Sequence, residues 1–272
     1  MNKILVLNIA TDSDDTSLGF AITWLNSLSK NYDEVDVITL KKGNISSLNE
    51  NINIFIKKLN DPYAKTVSRF PQTRKLRIEH LAQNTIYIHF PTVISENVNQ
   101  FNHVLNRKRL FSHVIIDFRN TSGGDIDSGA EFTNLFLNKD ALMFHFKRLK
   151  NSLSYRATTP ASFSGQVSVL VNKNTASVAE VITASLQHHI NATVIGQNSR
   201  GKVAVQKQFI IDKNNYLYLT VGYLIPPSGE DYYLNGITPN IYLKPAPINF
   251  TQIKDDLAVK TALKLANKAK NR

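Results

Sequence analysis

From Thr85 onward the chain alternates short, nearly all-apolar runs with segments whose apolar residues recur at helical spacing, and no other feature constrains its fold as tightly. Residues 86–90, 113–118, 166–171 and 192–196 read as strands, with 113–118 apolar enough to be of the buried type. Between them, Ser95 can cap a helix whose stripe is Val98, Phe101 and Leu105. A second helix, 128–137, follows the pair Gly123-Gly124, and a third covers 178–189. Residues 202–211 and 216–224 flank Asp212-Lys213-Asn214-Asn215, a hairpin turn. Strands alternating with helices predict an α/β core.

The first 57 residues form a smaller pattern of their own: strand 4–9, helix 18–28 with Leu18, Ala21, Ile22, Leu25 and Leu28 in phase, then strands 35–40 and 52–56. The pattern stops at Leu59-Asn60-Asp61-Pro62-Tyr63 and gives way to polar, basic residues up to Arg77. The expected organisation is therefore a small α/β accessory unit at 1–57, a linker or lead-in at 58–83, and a main unit at 84–272. In the tail, 253–272, Leu257, Ala258, Ala262 and Leu265 share one face, which predicts a docked terminal helix with a solvated basic side.

Composition removes several classes of chemistry. With 42% hydrophobic and 19% charged residues among 272, the chain reads as an ordinary globular protein. It has no cysteine, which excludes disulfides, Cys-ligated zinc, iron–sulfur centres and a Cys nucleophile. The apolar start at 4–10 is shorter than a membrane span and runs into Asp12, Asp14 and Asp15, so it is read as a buried strand, and a cytoplasmic location is the default expectation. Those aspartates precede a helix, where acidic residues favour the positive end, and capping is preferred to a metal site. Seven histidines show no catalytic or metal-binding spacing. The net charge of +11 is spread along the chain without aromatic interleaving, so a solvated basic surface is expected and no nucleic-acid partner.

Residues 169–206 are the informative stretch. A strand leads through Asn172-Lys173-Asn174 into Thr175-Ala176-Ser177-Val178-Ala179-Glu180 and a helix. A serine at such a junction can expose its hydroxyl beside the helix N-terminal N–H groups, or can simply cap the helix with Glu180 completing a capping box. Further on, Lys202, Ala204 and Gln206 fall on one strand face, Val203 and Val205 on the other. A lysine on an inward face is costly unless desolvation favours the neutral amine, the form that can take a proton from serine. Gln206 could then orient that amine as the third member of a triad does.

Taken in order, Ile115-Ile116-Asp117-Phe118-Arg119-Asn120-Thr121-Ser122-Gly123-Gly124, the 175–180 segment, Gly201-Lys202 and Gln206 resemble the carboxyl-terminal processing (tail-specific) peptidase family. Pro226-Pro227-Ser228-Gly229, Gly236-Ile237-Thr238-Pro239-Asn240, and Asp256-Leu257 through Ala262-Leu263 extend the resemblance across roughly residues 84–268. It implies a crotonase-like α/β core and a serine peptidase with Ser177 as nucleophile, Lys202 as general base and Gln206 aligning it. It also implies an oxyanion hole from the backbone N–H groups of Gly123 and Val178, no metal or organic cofactor, and a protein or peptide substrate docked as an added strand and cut near its C-terminus.

Three positions depart from the family pattern: Ser122 stands where proline is usual, Arg200 replaces an aromatic, and Val203 a glycine. No PDZ domain is legible between residue 63 and the strand at 86. A peptide-binding pseudoenzyme of the same fold is the competing expectation. Residues 1–57 weakly resemble the opening strand–helix–strand of nucleotide-sugar glycosyltransferases, through residues 3–9 and 34–40. The second lobe that such a donor site needs does not follow.

Overall fold

A computed structural model of the chain describes residues 3–11, 34–42, 52–55, 65–67, 75–82, 84–106, 111–148, 151–210 and 216–270, together with Asn26 and Lys30. It divides into two units, residues 1–69 with 208–219, and residues 70–207 with 220–272. In the first, β1 (Lys3–Thr11), β2 (Glu34–Lys42) and β3 (Ile52–Phe55) form a parallel sheet in that order, with Ile4 beside Val35 and Val37 beside Ile54. These match the strands read at 4–9, 35–40 and 52–56. The helix expected at 18–28 and the aspartates at 12, 14 and 15 lie outside the described residues, apart from helical Asn26. A short strand, β4 (Lys65–Val67), pairs antiparallel with residues 216–218.

The second unit opens with β5 (Arg77–Leu81), β6 (Thr85–His89), α1 (Ser95–Asn106), β7 (His113–Asp117), α2 (Ile126–Asn134), β8 (Leu142–Lys147) and β9 (Ser152–Arg156). It continues with β10 (Gln166–Val171), α3 (Val178–Ile190), β11 (Thr193–Gly196), the first part of β12 (Ala204–Ile210), the last part of β13 (Tyr216–Ile225), β14 (Ile241–Tyr242) and α4 (Leu257–Lys270), residues 208–219 of β12 and β13 falling in the first unit. One sheet has the order β14-β11-β10-β7-β6-β5, parallel except for β5. Because this order steps one way along the chain, each right-handed crossover lays its helix on the same face. Helices α1, α2 and α3 accordingly share one core with Ile86, Ile88, Val114, Ile116, Val169 and Val194. Phe90, Phe101, Phe118, Phe132 and Phe136 interlock in that core, mostly edge-on or tilted.

The alternate residues of the same strands, Tyr87, Ile115, Leu170 and Ile195, point to the opposite face and pack under α4. Burial on both faces is why these strands read as continuous apolar runs rather than as alternations. The expected helix face is met at Ala258, Ala262 and Leu265, which pack on this core, but not at Leu257. Ala258, Val259, Ala262 and Ala266 are buried, whereas Leu257 is 57% exposed. Asp256 sets this phase by accepting from the N–H groups of Ala258 and Val259, and the small side chains let the helix lie close to the sheet.

A second sheet runs β12-β13-β8-β9. Its hairpin β8–β9 has no counterpart in the sequence reading, and β5 falls inside the segment read as lead-in. The turn expected at 212–215 lies outside the described residues. The strand read from residue 202 begins at Ala204, so Lys202 and Val203 precede it.

Candidate active site

The loops after β7, β10 and β11 all leave the same, carboxyl, edge of the parallel sheet, where α/β proteins characteristically gather their functional groups. They are stitched together through the main chain. Ala176 N–H donates to Thr121 O at 2.9 Å, and Arg200 N–H donates to Thr175 O at 2.9 Å. The Thr175 hydroxyl donates to Phe118 O at 2.8 Å, and that of Thr121 to Phe90 O.

Ser177 occupies the turn between β10 and α3 with φ 60 and ψ −123. An ordinary N-cap is extended, so the capping arrangement read from the sequence is present in an unusual form. Glu180 reaches back to the Ser177 N–H at 2.7 Å, while the serine backbone holds a left-handed φ that costs roughly 1–3 kcal/mol and persists only where the surroundings impose it. Sharp strand-to-helix turns of this kind present nucleophilic serines in α/β-hydrolases.

Gly123 packs directly against it. A Cβ on Gly123 would lie 2.9 Å from Ser177 Cβ and 3.4 Å from Ser177 Oγ, and its φ of +113 is one that side chains rarely adopt. The Gly123 carbonyl accepts from Val93 N–H at 3.0 Å and from the Thr92 hydroxyl at 3.3 Å, which pins the glycine beside the serine. Val178 is the first residue of α3, whose opening N–H groups have no carbonyl one turn back.

The Glu180 carboxylate is fully buried and accepts four hydrogen bonds. Its Oε2 takes the N–H of Ser177 at 2.7 Å and of Lys202 at 2.9 Å; its Oε1 takes Ser199 Oγ and Gly201 N–H, each at 2.6 Å. Burial raises its pKa, while the four donors pull the other way by favouring the charged form. Ser199 Oγ in turn accepts from Ile237 N–H at 2.6 Å. The sequence offered only the capping-box spacing for Glu180; its three later partners lie 19 to 22 residues away and carry no local signature.

Lys202 is half-buried and donates from Nζ to Gln206 Oε1 at 2.8 Å, the pairing expected from their shared face. Two of the three departures from the family pattern are absorbed locally. Arg200 contributes its main-chain N–H, which is indifferent to side chain, and Val203 packs with Tyr232 and Ile237.

A second buried network was not assigned a role from sequence. Arg119 pairs with Asp117 (Nη2 to Oδ2, 2.7 Å) and with both oxygens of Asp256 at 3.0 Å, and the Tyr87 hydroxyl donates to Asp117 at 2.7 Å. Burial works against the Arg119 charge, but the two carboxylates hold its pKa above the ordinary value. The network ties the end of β7 to the start of α4. Asp117, Arg119 and Asp256 stand in the family motifs and Tyr87 does not, and nothing local says that they meet.

Residues 84–243 match the model of peptidase family S41. The carboxyl-terminal-processing protease of Synechocystis sp. is 29% identical over 56% of this chain and 36% of its own length. Its namesake from Picosynechococcus sp. is 26% identical over 70% and 45% respectively, so the chain spans less than half the length of these relatives. A solved photosystem II D1 C-terminal processing protease superposes with a TM-score of 0.53 at 20% identity, over 70% of this chain and 50% of that one, a likeness of fold. The glycosyltransferase likeness of residues 1–57 is not borne out: the family match begins at residue 84, and the relatives named here are proteases. With more than half of its length under the family model, the chain belongs to peptidase family S41.

Proposed function

We propose that this chain is a serine-type peptidase that hydrolyses protein or peptide substrates near their C-termini through an acyl-enzyme, with Ser177 as nucleophile and Lys202 as general base. The observation that carries this reading is the Glu180 carboxylate, which holds the backbones of Ser177 and Lys202 on one oxygen. Neutral Lys202 takes the Ser177 proton as Oγ attacks the scissile carbonyl, and Gln206 Oε1 keeps the amine in line. The N–H groups of Gly123 and Val178 receive the oxyanion, where one such donor is commonly worth about 100- to 1,000-fold in rate. Lys202 then passes its proton to the leaving amine. Water, deprotonated by the same lysine, releases the acyl group and regenerates Ser177.

The substrate binds as an added strand, so that main-chain hydrogen bonds supply affinity and side chains supply choice. A one-way strand order with three crossover helices on one face supports reading the main unit as a crotonase-like core. Residues 1–57 serve as an accessory unit. The pseudoenzyme reading is disfavoured because the departures at Ser122, Arg200 and Val203 remove none of the proposed groups.

Labelling with a fluorophosphonate, which reacts with activated serines, tests this reading. Peptide mapping is expected to find the adduct on Ser177, and no adduct in Lys202→Ala. Labelling elsewhere, or equal labelling of both proteins, would refute the assignment.

A further inference from the structure

Beside Gly201, the residue before the proposed base, the chain makes a closed turn. Gly236 N–H donates to Tyr232 O at 2.9 Å, and three contacts pin the turn to the base segment. Leu234 N–H donates to Gly201 O at 3.2 Å, Asn198 Nδ2 donates to Asn235 O at 3.1 Å, and Gly236 lies so close to Ser199 that a Cβ there would sit 2.1 Å from its carbonyl oxygen. Tyr232 anchors the turn inward, packed with Val203, Ile237 and Ala184.

The tip is built against local preference. Leu234 has φ 63, a conformation that favours Gly or Asn, although Asn235 and Gly236 follow it at once. Its side chain is also 72% exposed, the most exposed large apolar residue described, and Tyr233 beside it is 38% exposed. The backbone strain opposes folding, the solvated leucine contributes nothing to offset it, and such strain collects at functional sites. Contact with Gly201 is tight: a Cβ on that glycine would meet Leu234 N at 2.6 Å and Cα at 2.9 Å. Leu234 is thus held against the residue that precedes Lys202.

We infer that Leu234, with Tyr233 beside it, selects substrate by packing on an apolar side chain next to the scissile bond. This rests on the peptidase reading of Ser177 and Lys202. An extended peptide that crosses the Ser177–Lys202 site and reaches the turn against Gly201 covers Leu234, which is favourable only when the peptide brings an apolar partner. A polar residue there leaves the leucine covered without compensation. Discrimination on this scale is about 10- to 200-fold in kcat/KM.

The test uses fluorescein-labelled decapeptides that differ only in Leu or Ser at the central position. Turnover is measured with the full chain, and affinity by anisotropy on the Ser177→Ala chain. The unmodified chain is expected to favour the Leu peptide by about tenfold or more in both. Leu234→Ser and Leu234→Gly, the latter relieving the backbone, are expected to bring the preference close to unity by weakening the Leu peptide alone. An unchanged preference, or equal loss for both peptides, overturns the assignment, as does a chain that neither binds nor cleaves either. Binding preference that vanishes in Leu234→Ser without any turnover upholds Leu234 and refutes the peptidase reading. Turnover without preference does the reverse.

Discussion

Ser177 and Lys202 donate their main-chain N–H groups to the same oxygen, Glu180 Oε2, at 2.7 and 2.9 Å. The relative position of the proposed nucleophile and base is therefore set through their main chains by a buried carboxylate. Glu180 is a positioning residue, and its effect should be on rate rather than on substrate affinity.

Replacing Glu180 by Gln puts an amide donor where two N–H or O–H donors already converge. The expected result is a fall in kcat of about 100-fold or more with KM within about threefold, because geometry errors are felt mainly in the transition state. Stability should drop by about 1–3 kcal/mol in urea unfolding, the usual cost of an unsatisfied buried group. A KM effect that matched the kcat effect would place Glu180 in substrate binding instead.

Gly123→Ala brings a Cβ to 2.9 Å from Ser177 Cβ and 3.1 Å from Ala176 O, at a φ of +113. Loss of about 100-fold in kcat is expected as the glycine and its N–H move away from the serine. Gly229→Ala is the control: its φ is also positive, at +73, but nothing lies within 4 Å of the added carbon. That variant should lose about 1 kcal/mol of stability and keep its activity.

The sheet strands at 86–90, 113–118, 166–171 and 192–196 were legible because burial on both faces forces apolar runs. Strands β5, β8 and β9 were not. In β9 only Tyr155 is even half-buried, so Ser152–Arg156 carries no buried face to announce it. β5 is an edge strand whose Arg77 and Glu79 bond each other, and its polarity reads as linker. The pairing of Lys202 with Gln206 was legible from strand parity. Glu180 as a shared acceptor was not, because its partners meet only after β11 has joined the sheet. Leu257 on the wrong side of α4 shows the same limit: helical spacing gives a stripe, and the Asp256 cap decides its phase.

His113 is buried with Nε2 2.9 Å from Ser168 Oγ and Nδ1 3.5 Å from Thr85 Oγ1, and burial pushes its pKa down to about 4. A depressed folded-state pKa means that stability is fully present above the unfolded value of about 6.5 and is lost as pH falls toward 4. This window should cost about 3 kcal/mol. In urea unfolding between pH 7 and 4, His113→Gln should lack that share of the decline. An identical pH dependence in the two proteins would show that His113 takes up its proton in the folded chain without cost.

Arg119→Met leaves Asp117 and Asp256 buried without their cation. Destabilisation of about 3–5 kcal/mol is expected, with hydrogen exchange increasing first in α4, whose N-terminus Asp256 caps. Uniform exchange across the unit would contradict a role for Arg119 in seating that helix.

Turnover of an unfolded protein by the unmodified chain, Ser177→Ala, Lys202→Ala, Lys202→Arg and Gln206→Ala, followed by mass spectrometry of the products, tests the proposed Ser177–Lys202 pair. The unmodified chain should cut, and the Ser177 and both Lys202 variants should fall by about 1,000-fold or more, since a guanidinium cannot give up its proton as an amine can. Gln206→Ala should retain about a tenth of the rate. Cleavage by Ser177→Ala or Lys202→Ala at the unmodified rate would contradict the Ser/Lys assignment.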